Sequence, residues 1–198
     1  MLSVVTLISG SGSNLQALLK ACDNPLYPAK MLAVGSNNAA EGLFHAEQYG
    51  IPSFVVEPKR FSSKEAWAEV LASNIRHLNP DLIVLAGFMK ILPKSFVDEF
   101  YPRVINLHPS LLPKFPGAHA VRDVLASAEK LTGCTLHVVD AGVDSGPIID
   151  SREVSIEENE TESSLHEKIK IEERAMLVQA VRAIAEGKIN LEEIGGNG

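Results

Sequence analysis

Three side chains in the C-terminal half are of the types needed to handle a carbonyl carbon and a proton. Asn106 and His108 lie in Ile105-Asn106-Leu107-His108-Pro109, at the end of an apolar run. Successive side chains on a strand face opposite ways, so these two project together while Ile105 and Leu107 enter a core. An amide donates to a developing oxyanion, and an imidazole carries a proton near neutral pH. A lone histidine is more often a hydrogen-bonded residue of the core. An Asn and a His on one face, beside a loop stiffened by Pro109, Pro113 and Pro116, point to a site instead. Asp144 lies in the turn Asp140-Ala141-Gly142-Val143-Asp144-Ser145-Gly146-Pro147. Its carboxylate could pair with His108, hold the ring and favour the protonated form. An Asp between glycines is also a common turn residue, and here Gly142 and Gly146 are taken to shape the backbone that aims it.

A second candidate is Ser9-Gly10-Ser11-Gly12-Ser13-Asn14, between the first strand and the first helix. Glycines let a backbone approach a phosphate, and the helix N-terminus behind them offers free N–H groups. The dinucleotide fingerprint fails because Leu15 stands at its third glycine, and no Gly-Lys-Ser/Thr follows. The loop suits a monophosphate; the competing reading is a tight turn with a capped helix. His45, His77, His119, His137 and His166 assemble no ligand motif, so no metal is expected. His137 is read as an ordinary hydrogen-bonded strand residue, and Phe88 and Met89 as packing at the sheet's end.

Elements must position these groups. Residues 2–8, 31–36, 53–56, 82–86 and 104–107 read as strands, and 13–22, 41–49 and 63–78 as helices, the last capped by Ser62 or Ser63. The unbroken apolar run at 82–86 suits a strand buried on both faces. Such alternation implies right-handed crossovers and an α/β, doubly wound, mostly parallel sheet. Residues 132–139 and 147–155 read as a C-terminal antiparallel pair. A long C-terminal helix follows at 162–186, with Leu165, Ile169, Met176, Ala180 and Ile184 in one stripe and Gly187 as its stop. The tail, 195–198, is expected to fray. No linker or repeat divides the chain, so one domain is expected over 1–198.

The net charge of −7 argues against a nucleic-acid partner, which needs clustered Lys and Arg. Cys22 and Cys134 match no zinc spacing and read as small buried hydrophobes in a reducing compartment. The first apolar run lacks a basic leader and is too short to span a membrane, so a cytoplasmic protein is expected.

The blocks ISGSGSNLQALL (8–19), PDLIVLAGFMKIL (80–92), VINLHPSLLPKFPGAH (104–119) and GCTLHVVDAGVDSGPII (133–149) carry a family likeness most strongly. It resembles the glycinamide ribonucleotide formyltransferase family of folate-dependent purine biosynthesis from Val4 to about Ile184. The resemblance implies a Rossmann-like formyltransferase fold. It also implies transfer of a formyl group from 10-formyltetrahydrofolate to phosphoribosylglycinamide, by a monomer or homodimer. Under it Asn106, His108 and Asp144 are catalytic, and Gly12, Ser13, Asn14 and Glu173 form the ribonucleotide site. Lys64, Met89, Lys90, Ile91 and Leu92, with Asn106 and Asp144, form the folate site. The N-terminal half then holds the ribonucleotide phosphate, and the C-terminal half the folate and the chemistry.

Departures from the family pattern are Lys64 and Lys90, where arginine is common, Val121 in place of a second histidine, and the Lys170–Arg174 segment around a retained Glu173. A lysine keeps the charge but loses the bidentate fork. The nearest rivals are formyltetrahydrofolate hydrolase and initiator methionyl-tRNA formyltransferase. Their relatives usually carry an extra N-terminal regulatory domain or C-terminal RNA-binding barrel, which this chain is expected to lack. A non-catalytic mononucleotide-binding module would have no use for the Asn106–His108 pair.

Overall fold

A computed structural model describes residues 1–196. The strands are β1 (Leu2–Ile8), β2 (Ala29–Ser36), β3 (Ser53–Val55), β4 (Leu82–Leu85), β5 (Val104–His108), β6 (Leu131–Val138) and β7 (Ile148–Ser155). The helices are α1 (Ser13–Cys22), α2 (Leu43–Gln48), α3 (Lys64–Leu78), α4 (Lys94–Phe100), α5 (Ala120–Leu125), α6 (Glu162–Ala185) and α7 (Leu191–Gly195). The strands form one sheet in the order β3-β2-β1-β4-β5-β6-β7. The pairs from β3 to β5 are parallel, whereas β6 runs antiparallel to both β5 and β7. This is the doubly wound sheet with an antiparallel extension that the alternation of patterns predicts.

Both faces of the sheet are covered, so its central strands must be apolar throughout; every residue of β4 is buried. On one face, Ile105, Leu107, Cys134 and Leu136 pack with Leu15, Leu18 and Leu19 of α1 and Leu165, Ile169 and Met176 of α6. On the other, Val5, Leu7, Ile83 and Leu85 pack against α3 and α4. Trp67 anchors this second layer, only 1% exposed, with its indole N–H donating to the Val56 carbonyl at 2.7 Å.

The helix ends follow local chemistry. Ser63 Oγ accepts from the Ala66 N–H and starts α3, which settles the cap between Ser62 and Ser63. Thr161 and Ser164 cap α6 reciprocally, and Gly187, at φ +69°, ends it. Cys22 and Cys134 are free, and burial raises their thiol pKa values to about 11 and about 12, which leaves both inert.

Three short helices, α4, α5 and α7, are additions to the sequence reading, and β2 starts two residues earlier than predicted. The expected fraying of 195–198 is corrected at its first residue. Gly195 closes α7, where its carbonyl accepts from Tyr101 Oη at 2.7 Å. Asn197 and Gly198 lie outside the described residues. Among the described residues no helix is long and apolar enough to cross a membrane.

Candidate active site

The carboxyl ends of β1, β4 and β5 meet where the chain, having run outward from β1 to β2 and β3, returns to lay β4 on β1's other side. Open α/β sheets bind ligands at such a reversal. A cavity of about 370 Å³ lies there. Its wall includes Met89, Lys90, Ile91 and Leu92 after β4, Asn106 and His108 on β5, and Asp144 in the β6–β7 connection. The volume is within the range of small-molecule sites.

His108 is 4% exposed and faces two acceptors. Its Nε2 lies 2.8 Å from the Phe115 carbonyl, which can only accept, so Nε2 carries a hydrogen. Its Nδ1 lies 3.3 Å from Asp144 Oδ2. Each ring nitrogen thus faces an oxygen acceptor. The loop after β5 holds Phe115 in place: Ser110 Oγ donates to the Lys114 carbonyl at 2.6 Å, and Thr135 Oγ1 donates to Ser110 O at 2.7 Å. Ser110 and Thr135 therefore brace the carbonyl that fixes the histidine.

Asp144 accepts from the Gly117 N–H at 2.8 Å. Burial alone would raise its pKa. The neighbouring His137 and His108 rings and the Gly117 N–H outweigh burial and hold the carboxyl below its ordinary value. The aiming backbone is at Asp144 itself, with φ +51°, rather than at the flanking glycines. Gly146 answers to space instead: a Cβ there would fall 1.9 Å from the Val138 carbonyl oxygen.

The glycine loop forms a second, adjoining site. Gly12 precedes α1 at φ +73°, and a Cβ on it would lie 2.9 Å from Gly42 Cα. No side chain caps α1, so its first-turn N–H groups remain available to an anion. Asn14 Nδ2 donates to Glu173 Oε2 at 2.9 Å across α1 and α6, while Asn14 Oδ1 is buried without a protein partner. Burial raises the Glu173 pKa, against the opposing pull of Asn14, His108, Lys170 and Arg174. Lys170 itself pairs with Glu167 at 2.8 Å.

Gly12, Ser13, Asn14 and Glu173 are thus brought together, as are Asn106, His108, Asp144 and residues 89–92. Lys64 is not among them: it is exposed at the start of α3 and does not line the cavity. Phe88 packs as expected, stacked on Trp67 at 6.3 Å, but Met89 is 69% exposed and belongs to the cavity rim. His137 also lines the cavity, whereas its strand pattern predicts an ordinary hydrogen-bonded residue. The available signal is the placement of Thr135 and His137 two apart within the mostly apolar stretch Cys134–Val138. Ser9 was passed over too. Its Oγ donates to Asn37 Oδ1 at 2.5 Å and accepts from the Met89 N–H at 2.7 Å, tying the glycine loop to the cavity rim.

Known proteins share this architecture and sequence. Phosphoribosylglycinamide formyltransferase of Mycobacterium tuberculosis is 43% identical over 182 residues, covering 92% of this chain and 84% of that one. The crystal structure of glycinamide ribonucleotide transformylase 1 from Symbiobacterium toebii superposes with a TM-score of 0.94 at 38% identity, over 98% of this chain and 92% of that one. That of phosphoribosylglycinamide formyltransferase from Anaplasma phagocytophilum gives 0.90 at 42% identity, over 96% and 88%. The sequence pattern described as formyl transferase matches residues 2–181, and the chain belongs to that family.

Proposed function

We propose that this enzyme transfers the formyl group of 10-formyltetrahydrofolate to the amine of 5′-phosphoribosylglycinamide. The products are formylglycinamide ribonucleotide and tetrahydrofolate, and the step belongs to purine biosynthesis in the cytoplasm. The observation that carries the reading is the placement of Asn106, His108 and Asp144 on the wall of a ligand-sized cavity beside an uncapped helix N-terminus.

The reaction needs an oxyanion donor, a proton carrier and alignment of two substrates, and no metal. The amine nitrogen attacks the formyl carbon, the oxygen takes up negative charge, and the tetrahedral intermediate expels the folate nitrogen. The attacking amine loses one proton and the departing nitrogen gains one, so the transfer consumes none overall. Asn106 donates to the formyl oxygen. His108 Nε2–H is committed to Phe115 O, so the proton it offers is the one on Nδ1, shared loosely with Asp144 across 3.3 Å. Asp144 steadies the charged ring.

The phosphate sits at Gly12 and Ser13 on the α1 N-terminus, and Asn14 with Glu173 contacts the ribose or the amine. The unpartnered Asn14 Oδ1 supports that placement. Residues 89–92 hold the pterin end of the folate, and Lys64 takes the distal carboxylate tail, outside the cavity. One chain over 1–198 then carries the ribonucleotide in its N-terminal half and the folate and chemistry in its C-terminal half.

The test is an assay of purified protein with both substrates, resolving products by mass. Formylglycinamide ribonucleotide forming only when both are present supports the reading. Formate released at the same rate without the amine would make the enzyme a hydrolase, and no turnover would reduce it to a binding module.

A further inference from the structure

Asn106 and His137 are directly opposed in the antiparallel β5–β6 pair, so their side chains leave the same face as neighbours. His137 is 2% exposed. Its Nδ1 lies 2.9 Å from the Val138 carbonyl, which only accepts, so the hydrogen on Nδ1 is fixed. Its Nε2 lies between a donor and an acceptor: Asn106 Nδ2 at 3.2 Å and Asp144 Oδ1 at 3.5 Å. One nitrogen cannot serve both. Bare, it accepts from Asn106; protonated, it donates to Asp144.

Charge decides in favour of the bare nitrogen. Asp144 is one carboxylate and already faces His108. An imidazolium at His137 would be buried with only that shared carboxylate to neutralise it, because burial drives Glu173 towards its uncharged form. The shorter contact agrees.

We propose that His137 is a positioning residue that fixes the Asn106 side-chain amide by accepting one of its two N–H groups, so that the other points into the cavity. The inference rests on the formyl-transfer reading for its use, though not for its geometry. An asparagine amide rotates broadly about its last torsion, and half a turn exchanges a donor for an acceptor. An Asn106 free to turn would offer its oxygen to an oxyanion part of the time. Held by His137, it offers only N–H.

The test compares His137→Phe, which keeps the ring's bulk without an acceptor, with His137→Gln, which restores one, each in wild-type and Asn106→Ala backgrounds. Melting curves confirm that each variant is folded. His137→Phe should lower kcat about tenfold with both KM values within about twofold, because the group lost acts on a transition-state donor. His137→Gln should recover most of that loss. In the Asn106→Ala background His137→Phe should have almost no further effect, since the two act through one amide. A full loss from His137→Phe in that background, or a folded Gln variant as slow as Phe, would overturn the proposal.

Nitrogen-15 NMR of the unliganded enzyme reads the geometry without activity. The expected ring carries hydrogen on Nδ1 alone, and the Asn106 amide resonances shift in His137→Phe. A ring protonated on both nitrogens near neutral pH, or unmoved Asn106 resonances, would also overturn it. An enzyme that transfers no formyl group yet gives the expected spectra would instead count against the proposed reaction.

Discussion

In the proposed reaction Asn106 offers one of its N–H groups to the oxyanion, and losing one preorganised oxyanion donor costs about 3 kcal/mol in other enzymes. Asn106→Ala should therefore turn over roughly a hundredfold more slowly with little change in either KM, as steady-state kinetics would show. The two unusual carboxyl groups predict opposite pH signatures in thermal melts. Asp144 has a lowered pKa, so its ionised form stabilises the fold above the unfolded value, and that stability is lost as pH falls through the folded one. The melting advantage of wild type over Asp144→Asn should shrink as pH drops below about 4. Glu173 is raised, so its stabilising state is the protonated one, and stability is lost as pH rises through the folded value. Glu173→Gln should accordingly gain in melting temperature relative to wild type as pH climbs from about 4 towards neutrality, while binding the ribonucleotide less well. A difference that stays flat with pH would contradict the burial argument. At this scale the sequence was partly legible. Asn106 and His108 share a parity on one strand, and Glu173 interrupts an apolar helix stripe between Ile169 and Met176. His137 was discounted because its importance depends on register with β5, which no local pattern reveals.

The elements that matter most are the ends of strands and the start of α1. Gly12 is required there twice, by its positive φ and by its approach to Gly42. Forcing a Cβ into left-handed backbone costs roughly 1–2 kcal/mol before any clash. Gly12→Ala should raise the KM for phosphoribosylglycinamide about tenfold and leave that for the folate nearly unchanged, because only the α1 N-terminus is displaced. Equal increases in both would place the phosphate elsewhere. Long periodic elements, such as α3 and α6, were readable because their apolar stripes repeat over several turns and their caps are local. The seven-residue α4 was not, since Phe96, Val97 and Phe100 span too few turns to show a period. Helix α7 escaped for a similar reason: it is held by Tyr101 from far along the chain.

For the molecule as a whole, the order β3-β2-β1-β4-β5-β6-β7 places the glycine loop and the cavity on neighbouring strand ends. Ser9 joins them, linking β1 to Asn37 beyond β2 and to Met89 beyond β4. Ser9→Ala should raise the KM for both substrates together, by a few-fold each, because a net hydrogen bond contributes about 1 kcal/mol. An increase for one substrate alone would show that the two regions are positioned independently. The parallel half and antiparallel extension could be anticipated from alternating apolar runs, and a pairing of Asp144 with His108 from their residue types, whereas the contact of Asp144 with Gly117 could not. That contact depends on a loop conformation with positive φ at Asp144, a non-glycine residue. The most direct test of the central claim follows a carbon-13-labelled formyl group, supplied on the folate, by NMR in wild type and in His108→Ala. The label is expected to move to the glycinamide nitrogen in wild type, and its transfer to fall at least about a hundredfold in the variant. Undiminished transfer in His108→Ala, or label released as formate whether or not the amine is present, would contradict it.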